Sequence, residues 1–229
     1  MNAIMNTPEA KAPRMSETLQ TVSLRLNARL TATGLDIVDS GLATRFEAYL
    51  SLLLRWNARF NLTGIRDEDG ILSRHFVESI ACARALPAEI ATLLDFGSGA
   101  GFPGIPIALC RPEIAVTLAE SQGKKAAFLQ EAARTLGISA TVHSSRAETL
   151  RTQFDCVTLR AVDRMPRAVR AASRLIAPAG WLALMTTGTE LPALQVAAGP
   201  AWSWTKVFPL PGSAERLLAL AERKISSPA

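Results

Sequence analysis

The 229-residue chain is 48% hydrophobic and 20% charged, an ordinary globular composition that excludes disorder over its bulk. It is long enough for one sizeable α/β domain with an appendage, and no stretch approaches the roughly 20 apolar residues of a membrane span. The net charge is +5, carried by twenty Arg against five Lys; the planar guanidinium matches phosphate oxygens, so a nucleic-acid partner and a GC-rich coding bias both account for it.

Residues 1–17 are polar, contain prolines and lack the apolar core of a signal peptide, which predicts a disordered leader. From residue 18 to about 88 the pattern is helical. Ser16 to Leu30 is loosely periodic. The next helix is better marked, because Phe46, Tyr49, Leu50, Leu53, Leu54 and Phe60 recur at three- and four-residue steps and Asp39 or Ser40 can cap its start. A third helix is expected from Asp69 to Ala85, with Ile71, Leu72, Phe76 and Ile80 on one side and Pro87 closing it. Residues 89–229 alternate short apolar runs with helices, the pattern of a mostly parallel sheet. Strands are expected at Thr92 to Phe96, Ala115 to Ala119, Ala140 to His143, Cys156 to Arg160 and Trp181 to Met185. Helices are expected at Pro103 to Cys110, Lys124 to Leu136, Ala147 to Arg151 and Pro166 to Ile176. Trp204 to Lys224, turning at Pro209-Leu210-Pro211-Gly212, reads as an antiparallel hairpin.

The segment Leu93-Leu94-Asp95-Phe96-Gly97-Ser98-Gly99-Ala100-Gly101-Phe102-Pro103-Gly104 joins a strand to a glycine-rich turn and a helix start. It fits two ligands. Gly99-x-Gly101-x-x-Gly104 satisfies a dinucleotide fingerprint, with amide donors turned toward the ligand, whereas Gly97-x-Gly99-x-Gly101 after an acidic strand end is the S-adenosylmethionine version. Glu120 closes the second strand 19 residues past Gly101, the spacing of an acid that bonds ribose hydroxyls. At the third strand end, Ala147 and Glu148 sit where an adenine would be gripped. Arg160 ends the fourth strand over the same crevice, as a ligand contact or as an ion-pair partner of Asp155 or Glu148. Arg160, Arg164, Arg167, Arg170 and Arg174 follow at steps of four, three, three and four, one helical stripe suited to a polyanion or simply a solvated face.

His75 and His143 read as structural histidines, and no Ser-His-Asp or metal-ligand grouping emerges, so no metal is expected. Trp181 reads as core; Trp202 and Trp204 stack on bases or cover the sheet edge. Cys82, Cys110 and Cys156 are odd in number and widely spaced, which points to free thiols in a reducing cytoplasm.

Several strings together resemble the RsmG family, also called GidB. They are Arg55-Trp56-Asn57 with Asn61-Leu62-Thr63-Gly64-Ile65, His75-Phe76-Val77-Glu78-Ser79, the glycine loop continued as Phe102-Pro103-Gly104-Ile105-Pro106, Lys124-Lys125 with Phe128-Leu129, Ser145-Arg146-Ala147-Glu148, and Phe154-Asp155 leading to Arg160-Ala161. The resemblance implies an S-adenosylmethionine-dependent methyltransferase of Rossmann-like α/β fold, with a seven-stranded, mostly parallel sheet and an N-terminal helical extension packed with it as one unit. It implies methylation of guanine N7 in 16S ribosomal RNA, alone or in the small subunit, by a cytoplasmic monomer. It places Gly97 and Phe102 on the methionine side of the cofactor, Glu120 on its ribose, Ala147 and Glu148 on its adenine and Arg160 in the same pocket, with Gly99 also binding the cofactor. Arg160 and Arg164 are expected to position the guanine and its phosphates. The relatives' Leu-Lys-Gly after the fifth strand is replaced here by Met185-Thr186-Thr187-Gly188. Two other readings stay open: an NAD(P) oxidoreductase using the overlapping fingerprint, and a non-catalytic RNA-binding factor.

Overall fold

The computed structural model describes residues 15–224; the leader expected over 1–17 lies outside them except for its last three residues, which open a helix. Three apolar runs bounded by turn residues form strands with the expected limits, β1 (Thr92–Phe96), β2 (Ala115–Ala119) and β3 (Ala140–His143). With β4 (Phe154–Arg160), β5 (Ile176–Thr187), β6 (Trp202–Pro209) and β7 (Arg216–Arg223) they build a seven-stranded sheet in the order β3-β2-β1-β4-β5-β7-β6. The strands β1 to β5 pair in parallel, and β7 runs antiparallel to β5 and β6. Strand order reverses between β1 and β4, so the carboxyl ends of these two strands open the crevice in which such sheets bind ligands.

Two strands outgrow their expected limits. β4 starts at Phe154 rather than Cys156, and Phe154 pairs with Ile176, which begins β5. Ile176 is therefore strand, and the helix expected from Pro166 to Ile176 is α7 (Met165–Ala172) followed by a 3-10 turn, Ser173–Leu175. The helix expected at Ala147 to Arg151 is a single 3-10 turn, Ala147–Thr149. α8 (Leu191–Ala198) was not anticipated; it buries only Leu194 and so has no apolar stripe to betray it.

Side chains alternate across the sheet, as period-two geometry requires. Leu93, Val116, Leu118, Cys156 and Ala183 join a core shared with α1 (Met15–Ala32), α2 (Ser40–Phe60), α4 (Glu78–Ala85), α5 (Gly104–Cys110) and α6 (Gly123–Leu136). Leu94, Val157, Leu159, Leu182 and Leu184 face α7 and α8, where Trp202 is buried and its indole N–H donates to Ala198 O at 3.1 Å. The expected third helix exists but changes character. A turn of α3 (Glu68–Gly70) leads into a π-helical segment, Ile71–Val77, before α4 resumes. π segments concentrate at functional sites, and this one carries Arg74 and His75.

Asp39 caps α2 through a 2.8 Å bond from the Leu42 amide, satisfying one of the helix's unpaired donors. The helical extension then meets the sheet through aromatic rings. Tyr49 packs on Phe76 and Phe102 at centroid distances of 5.3 Å each and on Phe128 at 6.4 Å. α2, the π segment, the glycine loop and α6 thus share one cluster.

Candidate functional site

The glycine loop leaves β1 and is held by its own backbone, by the end of β2 and by Asp95. The Gly97 and Ser98 amides donate to Ala119 O, those of Gly101 and Phe102 to Ser98 O, and that of Ile105 to Gly101 O. Gly104 N–H donates to Asp95 Oδ2 at 3.1 Å, and Gly99 N–H to Glu120 Oε2 at 3.0 Å. The expected row of amide donors is therefore taken up by the loop itself, by Asp95 and by the end of β2, and only the Ala100 amide is left without a partner among the described residues. A diphosphate would need those donors, so the loop does not serve as a phosphate cradle and the dinucleotide reading loses its physical basis.

Two glycines are required by their surroundings. Gly101 has φ +91°, and a Cβ there would meet Ile105 and lie 2.7 Å from Tyr49 Oη. At Gly104 a Cβ would lie 2.6 Å from Asp95 Oδ2. Tyr49 fixes the loop from the other side, its hydroxyl donating to Ala100 O at 2.5 Å. Beneath the loop Asp95 is fully buried and accepts from Thr158 Oγ1 at 2.8 Å. Burial pushes its carboxyl up to about 6, against the opposing bonds from Thr158, Ser98 and Gly104.

Glu120 stands at the carboxyl end of β2, and its second oxygen accepts from the Gln122 amide at 2.7 Å. Each oxygen has one amide partner and a remaining lone pair, so the carboxylate is oriented and still able to take two hydroxyls. Ala147 is buried and Glu148 exposed on the turn after β3. The Phe102 ring points inward, with His75 stacked on it at 4.4 Å and 15°. Val162, just past β4, faces Gly97.

Arg160 is where the structure departs most from the sequence reading. Its guanidinium pairs with neither Asp155 nor Glu148. Asp155 is engaged at the opposite end of the strand by Thr92 and the Ala91 amide. Instead Arg160 Nη2 reaches Glu78 Oε2 at 2.9 Å and Arg74 O at 2.5 Å. Arg160 belongs to β4 and turns inward, so the arginine stripe begins at Arg164, the residue before α7, and continues through Arg167, Arg170 and Arg174. These four are exposed and, among the described residues, none is paired with a carboxylate.

Glu78 was known from the sequence only as a motif residue, yet it is the pivot. It is fully buried, and its other oxygen accepts from Arg216 of β7 at 2.8 Å. One carboxylate thus ties the helical extension to β4 and β7. The residues that sequence reasoning missed are Tyr49, Thr63, Glu78 and Arg216. Tyr49 is the only tyrosine of the chain; a hydroxyl on an apolar helical stripe must find a partner when buried, and that was the available signal.

His75 is a structural histidine in the sense that its Nε2 meets Thr63 Oγ1 at 2.8 Å. Burial, then the charges of Arg160 and Arg74, lower it to about 3, so the imidazole is neutral at ordinary pH and a weak base. His143 lies away from these groups, bonded to Thr149 Oγ1 at 2.9 Å.

The sequence profile described as "rRNA small subunit methyltransferase G", GidB, matches residues 43–198. Curated relatives carry the same description. The protein of Xanthomonas euvesicatoria pv. vesicatoria (strain 85-10) is 39% identical over 193 residues, 82% of this chain and 88% of the relative. That of Stenotrophomonas maltophilia (strain K279a) is 41% identical over the same shares. Among solved structures, a putative O-methyltransferase from Klebsiella pneumoniae superposes with a TM-score of 0.58 at 16% identity, covering 90% of this chain and 99% of that one. P. horikoshii TYW2, solved with MeSAdo, gives 0.54 at 12% identity over 65% of this chain and 62% of its own. Both likenesses are to the fold.

Proposed function

The chain belongs to the GidB family of ribosomal RNA small subunit methyltransferases, and we propose that it transfers the methyl group of S-adenosylmethionine to N7 of a guanine in 16S ribosomal RNA. The observation that carries the cofactor reading is the glycine loop with all its amides but that of Ala100 bonded within the fold, lying beside an oriented Glu120. Such a loop suits a ligand with no phosphate. The unpaired Nη1 of buried Arg160 and the free lone pairs of Glu120 fit the two polar ends of that cofactor. Gly97, Gly99, Phe102 and Arg160 would border its methionine part, Glu120 its ribose, and Ala147 and Glu148 its adenine. When bound, the cofactor supplies an electrophilic methyl on a sulfonium whose departure as a neutral thioether needs no proton.

The residues around the crevice suit a reaction without proton transfer. Guanine N7 is a lone-pair acceptor with no proton to remove. His75 is a weak base, Asp95 has both oxygens engaged beneath the loop, and Glu78 is held by two arginines. What remains for the protein is orientation, which by itself accelerates bimolecular reactions greatly. Arg164 just before α7, with Arg167 and Arg170 on it and Arg174 on the 3-10 turn that follows, offers a track for RNA phosphates. The free cysteines fit the reducing cytoplasm in which ribosomes are assembled.

The test is methylation of small subunits by the purified protein with labelled S-adenosylmethionine, followed by strand cleavage at 7-methylguanine and primer extension. A single new cleavage site in 16S RNA is expected. Label in an exocyclic amine or a ribose, with no cleavage, overturns the N7 assignment.

A further inference from the structure

Among the described residues, three buried side-chain polar atoms lack a hydrogen-bond partner, His75 Nδ1, Ser79 Oγ and Arg160 Nη1. Buried polar atoms are rarely left so, and these three belong to one place. Arg160 Nη2 bonds the carbonyl of Arg74, the residue next to His75. Ser79 follows His75 by four residues, the spacing of neighbours on one helical face. His75 itself lies flat on Phe102 of the glycine loop.

Thr63 points to one tautomer of His75. Thr63 Oγ1 accepts from the Ile65 amide at 3.2 Å, and His75 Nε2, 2.8 Å away, is the one side-chain acceptor its proton reaches among the described residues. With one lone pair of its hydroxyl already taken, we assign Thr63 as the donor to Nε2, which puts the ring proton on Nδ1. His75 Nδ1–H and Arg160 Nη1–H are then two buried donors in want of an acceptor. The local charge says which kind. Arg160 and Arg216 share the single carboxylate of Glu78, and Arg74 offsets the buried Asp95 nearby, which leaves a positive charge in excess where solvent screening is weak. A carboxylate balances it; the neutral O6 of a guanine does not.

Resting on the cofactor reading above, we infer that His75 is a binding residue for the carboxylate of the cofactor's methionine part, which it holds together with Arg160 through His75 Nδ1–H and Arg160 Nη1–H. The helical extension thereby supplies half of the grip on the cofactor's amino-acid end. Thr63 serves as a positioning residue that sets the ring's tautomer. The imidazole stays neutral, so this donor works at no cost in buried charge.

The experiment compares, by calorimetry on the full chain, S-adenosylhomocysteine with 5′-methylthioadenosine, which keeps the adenosine and thioether and lacks the amino-acid group. Three variants are measured, His75→Phe, His75→Asn and His75→Gln. His75→Phe preserves a flat ring on Phe102 and should weaken S-adenosylhomocysteine at least about tenfold, the worth of a bond to a charged group, with methylthioadenosine unchanged. The Asn amide lies where Nδ1 was and should restore most of the loss. The Gln amide extends toward Thr63 and should not. Equal weakening of both ligands by His75→Phe would make His75 a merely structural support of Phe102, and unchanged affinity for S-adenosylhomocysteine would remove it from the carboxylate; either overturns the inference while the cofactor reading stands. If the unaltered protein binds neither ligand, the cofactor reading falls and the inference with it.

Discussion

Replacing Glu78 with Gln should destabilise the protein far more than the loss of one surface charge does. The side chain is 1% exposed, and its partners Arg160 and Arg216 are 12% and 27% exposed. Glutamine keeps the shape, removes the charge and turns an amide donor toward one of two guanidinium groups. Breaking a buried pair by deleting one partner costs about 3–5 kcal/mol, because a charge is left without compensation. Arg216 can swing toward water and Arg160 keeps the Arg74 carbonyl, which places the loss at the lower end, about 3 kcal/mol. For a chain of this size that lowers Tm by about 6–12 °C. Urea unfolding should show a lower midpoint with an unaltered slope. Adding Arg160→Met and Arg216→Met to Glu78→Gln should recover much of the stability, since the stranded charges are then gone. A loss below about 1 kcal/mol, the value of an exposed pair, or a triple variant as unstable as the single one, would refute the buried-pivot argument.

Tyr49→Phe keeps the ring stack and strands Ala100 O, which should cost about 1–3 kcal/mol and weaken S-adenosylhomocysteine binding in the same preparation; full affinity would mean the loop needs no such tether. Gly101→Ala forces a side chain at φ +91° into Ile105 and Tyr49, and should abolish soluble expression or lower Tm well beyond Tyr49→Phe. Asp95 gives a pH dependence whose sign follows from its raised value of about 6 against an ordinary 3.8. Between those values the folded chain binds more protons than the unfolded one, so this group's contribution to stability falls as pH rises from about 4 to about 6. It should reach about 3 kcal/mol, read as a declining urea midpoint that Asp95→Asn flattens. Changing Arg167, Arg170 and Arg174 to Ala should leave folding intact and reduce the slope of log affinity for 16S RNA against log salt by about 2–3; an unchanged slope would make the stripe a solvated face.

The parallel half of the sheet was legible because Thr92–Phe96, Ala115–Ala119 and Ala140–His143 are short apolar runs between strong turn signals. The second half was less so. Pro178, Ala179 and Gly180 interrupt the apolar run in β5, so only its buried middle stood out, while the first residue of that strand, Ile176, looked like the end of α7's stripe. In the crevice, Glu120 was readable because a fixed spacing from the loop specifies it. The partner of Arg160 was not, since Glu78 lies 82 residues away and only the packing of the extension on the sheet joins them.

That long-range pairing explains why the helical extension carries motifs as specific as the glycine loop itself. Exposed Arg55, Arg59, Arg66 and Arg74 would serve RNA contact alone. Tyr49, Thr63, His75 and Glu78 are instead engaged inward, where they hold Ala100, the His75 ring, and Arg160 with Arg216. The π-helical segment leaves the Arg74 carbonyl available to Arg160 while His75 meets Phe102. A methyltransferase sheet without this extension would keep Gly97, Gly99 and Glu120 but would lose the groups that set Arg160 and tether the loop. The extension is therefore part of the crevice's wall, and substitutions on its inner face should change cofactor binding before they change affinity for RNA.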